Sequence, residues 1–211
     1  MSASRKPPAR TRMTAAERRE QLIAIARTLF AERGFDGASI EEVATRATVS
    51  KPVVYEHFGG KEGLYAVVVD REVTQLLARM RIALSAGGNR ELLEQAALAL
   101  LDYIEEQPEG FRILVRDSPI GAQGASFQSI IGDVATRVEG ILVDEFRRRY
   151  LDAKAAPMYA QMLVGMIGTT GQWWLSAGRK PAKKVVAAHI VNLAWNGLSG
   201  MEQHPQLVTD A

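Results

Sequence analysis

Apolar side chains recur along this chain at helical spacing, with no competing strand-like alternation apart from Val67-Val68-Val69 inside a helical run. Thr14 with Glu17 three residues on reads as a capping box, Leu22, Ile25, Ala26, Leu29 and Phe30 share one face, and Gly34 stops the run. Two short helices follow. Ser39 with Glu42 opens the first, whose face is Ile40, Val43, Ala44 and Ala47, and Ser50 is expected to cap the second, which carries Pro52 in its first turn and ends near Phe58. Gly59-Gly60 breaks the pattern, and Lys61-Glu62 opens a long fourth helix running toward Gly87-Gly88. Further helices are predicted over 91–107, 110–115, 127–150, 157–177 and 181–200, with no internal repeat.

The pair of short helices, joined by a brief turn and preceded by a longer amphipathic one, has the pattern of a helix-turn-helix. Val49, Val54 and Phe58 are expected to face inward, against Val43, Ala44 and Phe30, which leaves Lys51, Pro52, Val53, Tyr55, Glu56 and His57 outward. That mixture suits a major groove: Lys51 can donate to guanine or phosphate, Pro52 and Val53 can touch a thymine methyl, and Tyr55 and His57 can donate to phosphate. Ser39, Thr48 and Ser50, at the helix starts and in the turn, complete the expected surface. The competing reading is a plain helical bundle that never meets DNA.

Charge supports the first reading. Among 211 residues the net charge is only +2, yet residues 1–61 hold 11 Lys+Arg against 7 Asp+Glu, and the rest hold 15 against 17. A basic head on a near-neutral body is what a duplex-binding protein shows. Arg10 and Arg12, in a proline-containing arm over 1–13 expected to be disordered, are placed to reach a minor groove, although a merely solvated tail has the same composition.

With no cysteine there is no disulfide, thiolate metal site or cysteine nucleophile, and His57, His189 and His204 are too scattered for a metal cage. No Gly-rich phosphate loop, nucleophile elbow or histidine–carboxylate constellation is present, so neither an enzyme nor a cofactor is expected. The polar N-terminus has no signal-peptide pattern, and a cytoplasmic location is expected.

The runs Gly34-Phe35-Asp36-Gly37-Ala38-Ser39-Ile40-Glu41-Glu42-Val43-Ala44 and Val49-Ser50-Lys51-Pro52-Val53-Val54-Tyr55-Glu56-His57-Phe58-Gly59-Gly60-Lys61-Glu62 resemble the DNA-binding domain of TetR-type transcriptional regulators. The resemblance implies phosphate contacts from Tyr55, His57 and Lys61. It departs at Pro52 and Val53, where members often carry Gly or a small polar residue and Thr, so this reader leans on apolar contact and shape. Gly63 stands where a polar or acidic residue is usual and is expected to be tolerated as a looser first turn.

Residues 155–178 contain no charge and end in Trp173-Trp174, ahead of Arg179, Lys180, Lys183 and Lys184. Pro157, Gln161, Thr169, Thr170, Gln172 and the glycines Gly165, Gly168 and Gly171 make the stretch too polar for a comfortable membrane span, so a helix buried on nearly all sides is expected. The resemblance places the last two long helices in a dimer interface, where His189 and Asn192 are expected as hydrogen-bonding groups. It also makes Leu101, Ile104, Phe111, Leu114, Phe127, Ile131, Met158, Met162, Met166 and Trp173 candidates for an apolar effector pocket, with plain core packing as the alternative. A finer similarity, carried by Asp102-Tyr103-Ile104-Glu105, Gly110-Phe111-Arg112-Ile113-Leu114, Val164-Gly165-Met166, Trp174-Leu175, Lys180-Pro181 and Ala194-Trp195-Asn196-Gly197-Leu198-Ser199, is to regulators of fatty-acid synthesis that sense long acyl-CoA chains.

The expected protein is all-α: a basic arm (1–13), a helix-turn-helix domain (14–60) and a helical effector-binding and dimerisation domain (61–211). The expected function is a homodimeric repressor released from a palindromic duplex operator by a small apolar effector. The alternatives are an acyl-CoA-responsive activator and, in a different class, a helical membrane or partner-binding protein without DNA contact.

Overall fold

The computed structural model describes residues 13–115, 127–202 and 205, and of 127–130 the backbone only. Arg10, Arg12, His204 and the side chain of Phe127 therefore lie outside the described residues. Those described form nine α-helices, α1 (Ala15–Gly37), α2 (Ile40–Ala47), α3 (Lys51–Phe58), α4 (Lys61–Ala83), α5 (Asn89–Glu106), α6 (Pro108–Val115), α7 (Phe127–Arg148), α8 (Ala156–Ser176) and α9 (Lys183–Ser199), with one 3₁₀ turn at Ala153–Ala155 and no strand. They fall into two compact units, divided between Tyr65 and Ala66 within α4.

In the first unit the Thr14–Glu17 capping box is complete, with Glu17 N donating to Thr14 Oγ1 at 3.2 Å and Thr14 N donating to Glu17 Oε2 at 2.7 Å. Gly34 breaks α1 with φ 73°, so the helix proper ends where its sequence predicts and Phe35–Gly37 make a separate turn. The box at Ser39 is only half made. Ser39 Oγ accepts from Glu42 N at 3.2 Å, but the Glu42 carboxylate turns to Arg33 and Arg46, each at 2.9 Å, and so ties α2 to α1. Ser50 makes no side-chain cap at all. Of the two amides a cap could serve, that of Pro52 does not exist, and Val53 N already donates to Ser50 O at 3.1 Å. Leu22, Ala26, Leu29, Phe30, Val43 and Val54 form the core of this unit. Phe30 and Phe35 meet the Tyr65 ring edge-on, with centroids 4.9 and 5.1 Å away.

In the second unit α7 packs along α8 and α5 along α9. Phe146 and Leu142 on α7 meet Ala156 and Ala160 on α8, and Leu93 on α5 meets Val191 and Ala194 on α9. Small residues allow the close approach: a Cβ on Gly171 of α8 would lie 2.8 Å from Ile104 Cδ1. Lys183, at the start of α9, reaches back to α5, pairing with Asp102 at 2.7 Å and with Glu105. No described helix is long and apolar enough to cross a membrane. Helix α8 is not buried all round: Met158, Met162, Thr169 and Trp173 make one exposed face, and Val185, His189, Asn192 and Leu193 do the same on α9.

Candidate nucleic-acid interface and effector cavity

The turn between α2 and α3 is held by backbone. Thr48 takes a left-handed conformation (φ 56°), which a β-branched residue seldom adopts, and Val49 N donates to Ala44 O at 3.0 Å. This places Thr48, Ser50, Lys51, Pro52 and Tyr55 on one exposed surface, with Val53 and His57 half-buried at its edge and Val54 fully buried behind it. Ser39 lies apart from that row, half-buried at the start of α2.

Two contacts organise the surface that sequence alone leaves unseen. Glu41 on α2 hydrogen-bonds the Lys51 ammonium, which also lies 5.8 Å from the Tyr55 ring. Each charge favours the other: the hydrogen bond from Lys51 holds the Glu41 carboxyl below its ordinary pKa, and the bond to Glu41 raises that of Lys51. On the far side, Arg19 of α1 donates to His57 O at 2.8 Å and sits 4.4 Å over the Phe58 ring, which fixes the end of α3. Their partners stand 10 and 38 residues away in the chain, beyond any local pattern.

Lys61 begins α4 with its ammonium 4.4 Å over the Phe35 ring and 3.4 Å from Asp36 O. Gly63, expected to be tolerated, is required by space: a Cβ there would lie 2.0 Å from Phe58 O, a backbone atom that closes the tight link from α3 to α4.

The second unit holds a partly open cavity of about 290 Å³ between α4, α5, α7, α8 and α9. Its walls are aliphatic, with Leu76 and Met80 from α4, Leu92 and Ala96 from α5, and Val138 and Leu142 from α7 among them. Asn89, Glu145, Arg149 and Ser199 supply its polar lining. Arg149, just past the end of α7, donates to Leu198 O at 2.7 Å and to Ser199 O at 3.0 Å at the end of α9. Of the sequence candidates for a pocket, Ile131 lines this cavity. Leu101, Ile104, Phe111 and Leu114 are buried but turned elsewhere, and Met166 packs beside Leu93 and Val191. Met158, Met162 and Trp173 are more than half exposed on α8. Periodicity places these residues on helices correctly, but cannot say which of two apolar faces points inward.

Residues 22–68 match the model of the bacterial regulatory proteins of the tetR family. The chain is also 35% identical over 185 residues to the HTH-type transcriptional activator FasR of Mycolicibacterium smegmatis, covering 87% of this chain and 84% of that one. The chain belongs to the TetR family. Among solved structures, a TetR-like regulator from Rhodococcus sp. RHA1 superposes with a TM-score of 0.69 at 24% identity, over 90% of this chain and all of that one. The fatty acid degradation regulator FadR of Bacillus halodurans shares the fold alone, with a TM-score of 0.70 at 15% identity over 86% and 96% of the two chains. This TetR-family protein is a ligand-responsive DNA-binding transcriptional regulator. Proteins of the family bind DNA operators and dimerise, and they are not enzymes.

Proposed function

We propose that this regulator answers to a single acyl chain held in the cavity of its second unit, and that it acts on a palindromic operator as an activator. The observation that carries the reading is the cavity itself: a wall of Leu, Ile, Val, Met and Ala side chains with a few polar groups in its lining, which suits an amphiphile with one apolar tail. At about 30 Å³ for each water-sized group, the described walls hold roughly ten methylenes. The residues resembling acyl-CoA-sensing regulators support the ligand class. The activating sense is supported by the name of the M. smegmatis relative.

On the DNA side, Lys51 donates to guanine or phosphate, Pro52 and Val53 touch thymine methyls, and Tyr55, His57 and Lys61 clamp phosphates, with Ser39, Thr48 and Ser50 beside them and Arg10 and Arg12 reaching the minor groove. Lys61 reaches a phosphate by leaving Asp36 O, a bond already long at 3.4 Å. The exposed faces of α8 and α9, where Leu193 is 68% exposed, take the second copy of the chain.

The test uses an operator selected from random duplexes and fluorescence anisotropy, with octanoyl-, dodecanoyl- and palmitoyl-CoA as probes. The reading expects at least one thioester to change operator affinity, and it fails if none does. The Tyr55→Ala/Lys61→Ala double variant is expected to lose operator binding as an intact dimer, and wild-type affinity in that variant would remove the clamp assignment. Run-off transcription with and without the thioester reads the sign.

A further inference from the structure

Glu72 is the one buried polar or charged residue among those described, at 2% exposure, and it lies on α4. The Tyr103 hydroxyl of α5 donates to Glu72 Oε2 at 2.6 Å. Gly110 of α6 closes the third side so tightly that a Cβ there would lie 1.9 Å from Glu72 Oε2 and 2.8 Å from Tyr103 Oη. Three helices thus meet at one carboxylate. The cavity begins one turn away: Leu76 stands four residues after Glu72 and Leu100 three residues before Tyr103, each on the face of its neighbour, and both line the cavity. An occupant that spreads Leu76 from Leu100 acts within about 5.4 Å of the hydrogen bond. That bond has little slack, because lengthening it by about 1 Å breaks it and leaves a buried carboxylate and hydroxyl less well satisfied.

We propose that the Glu72–Tyr103 pair, seated against Gly110, is the positioning contact through which occupation of the cavity resets α4. The helix is continuous from Lys61 to Ala83, so its first residues belong to the DNA-binding unit. A contact that must be either made or broken gives α4 two settings rather than a continuum, and the effector acts by favouring one of them. The pair holds the ligand-free setting. This inference rests on the cavity being the effector site.

Tyr103→Phe removes only the hydroxyl, and Gly110→Ala displaces the carboxylate from the other side. In both variants, checked as folded dimers, operator affinity is measured without ligand and with saturating dodecanoyl-CoA or palmitoyl-CoA. The expected result is a shift of ligand-free affinity by at least about fivefold, in the direction the thioester drives the wild type, with the thioester's own effect reduced by the same factor. A merely structural hydrogen bond would lower the melting temperature and leave both affinities unchanged, and that result in the two variants overturns the proposal. If neither thioester moves the wild type, the acyl reading fails. The pair is then judged on ligand-free affinity alone, where a shift supports it and no shift overturns it.

Discussion

Replacing Glu41 by Gln tests whether Lys51 faces the DNA. In the free protein the Lys51 ammonium already has an anionic partner, so bringing it to a phosphate releases less counterion than a bare lysine would. Glu41→Gln keeps the size of the side chain and removes that charge. Each cation that comes to neutralise a phosphate adds about 0.9 to the slope of log affinity against log salt, and a dimer presents Lys51 twice. The slope of the variant is therefore expected to steepen by about 0.9 to 1.8. A fourfold rise in salt, about 0.6 log units, then costs the variant roughly three- to twelvefold more affinity than it costs the wild type. The assay is anisotropy on the selected operator between about 50 and 200 mM salt.

Protonation predicts where that difference persists. Glu41 is held below its ordinary value of 4.5 and Lys51 above its ordinary 10.5, so the pair is intact above pH 4.5 and is lost as pH falls through the lowered Glu41 value. The difference between variant and wild type should be flat from about pH 6 to pH 9. A slope within about 0.3 of wild type would show that Lys51 does not meet phosphate, and would refute that contact.

Two further outcomes follow from packing. Gly63→Ala gains about 1 kcal/mol of helix propensity but sets a methyl 2.0 Å from Phe58 O, a clash with backbone that costs about 3 kcal/mol, so the first unit should lose about 2 kcal/mol net in urea unfolding; unchanged or raised stability would contradict the tight α3–α4 link. Ala96→Phe places a ring inside the cavity and should abolish the response to dodecanoyl-CoA while leaving operator binding in place, and a retained response would move the effector elsewhere.

What the sequence shows here depends on how far apart the interacting residues stand. Thr14 and Glu17 meet within one turn, and their capping box is visible as a spacing; so are the break at Gly34 and the two short helices before Gly59. The cap at Ser39 is half legible, because Arg33 and Arg46 compete for Glu42 and only the folded chain brings Arg33 close. Glu41 with Lys51, Arg19 with His57 and Glu72 with Tyr103 are tertiary pairings without a local signature. The apolar helices hide the most. In α8, Met158, Met162 and Trp173 read as pocket lining, yet they stand on the exposed face, while Leu163, Val164 and Ile167 line the cavity. The glycines divide in the same way: Gly63 and Gly171 are set by atoms that approach from elsewhere in the chain, whereas Gly165 has open space around it.

On this reading α2 and α3 meet a duplex twice, once from each half of a dimer. Selection of bound sequences from a random duplex library tests it, with native mass spectrometry counting the chains on the winning duplex. The expected result is an enriched inverted repeat carrying an even number of chains, and no enrichment with the Lys51→Ala/Tyr55→Ala variant. An unenriched library, or a single chain on an asymmetric site, would contradict it.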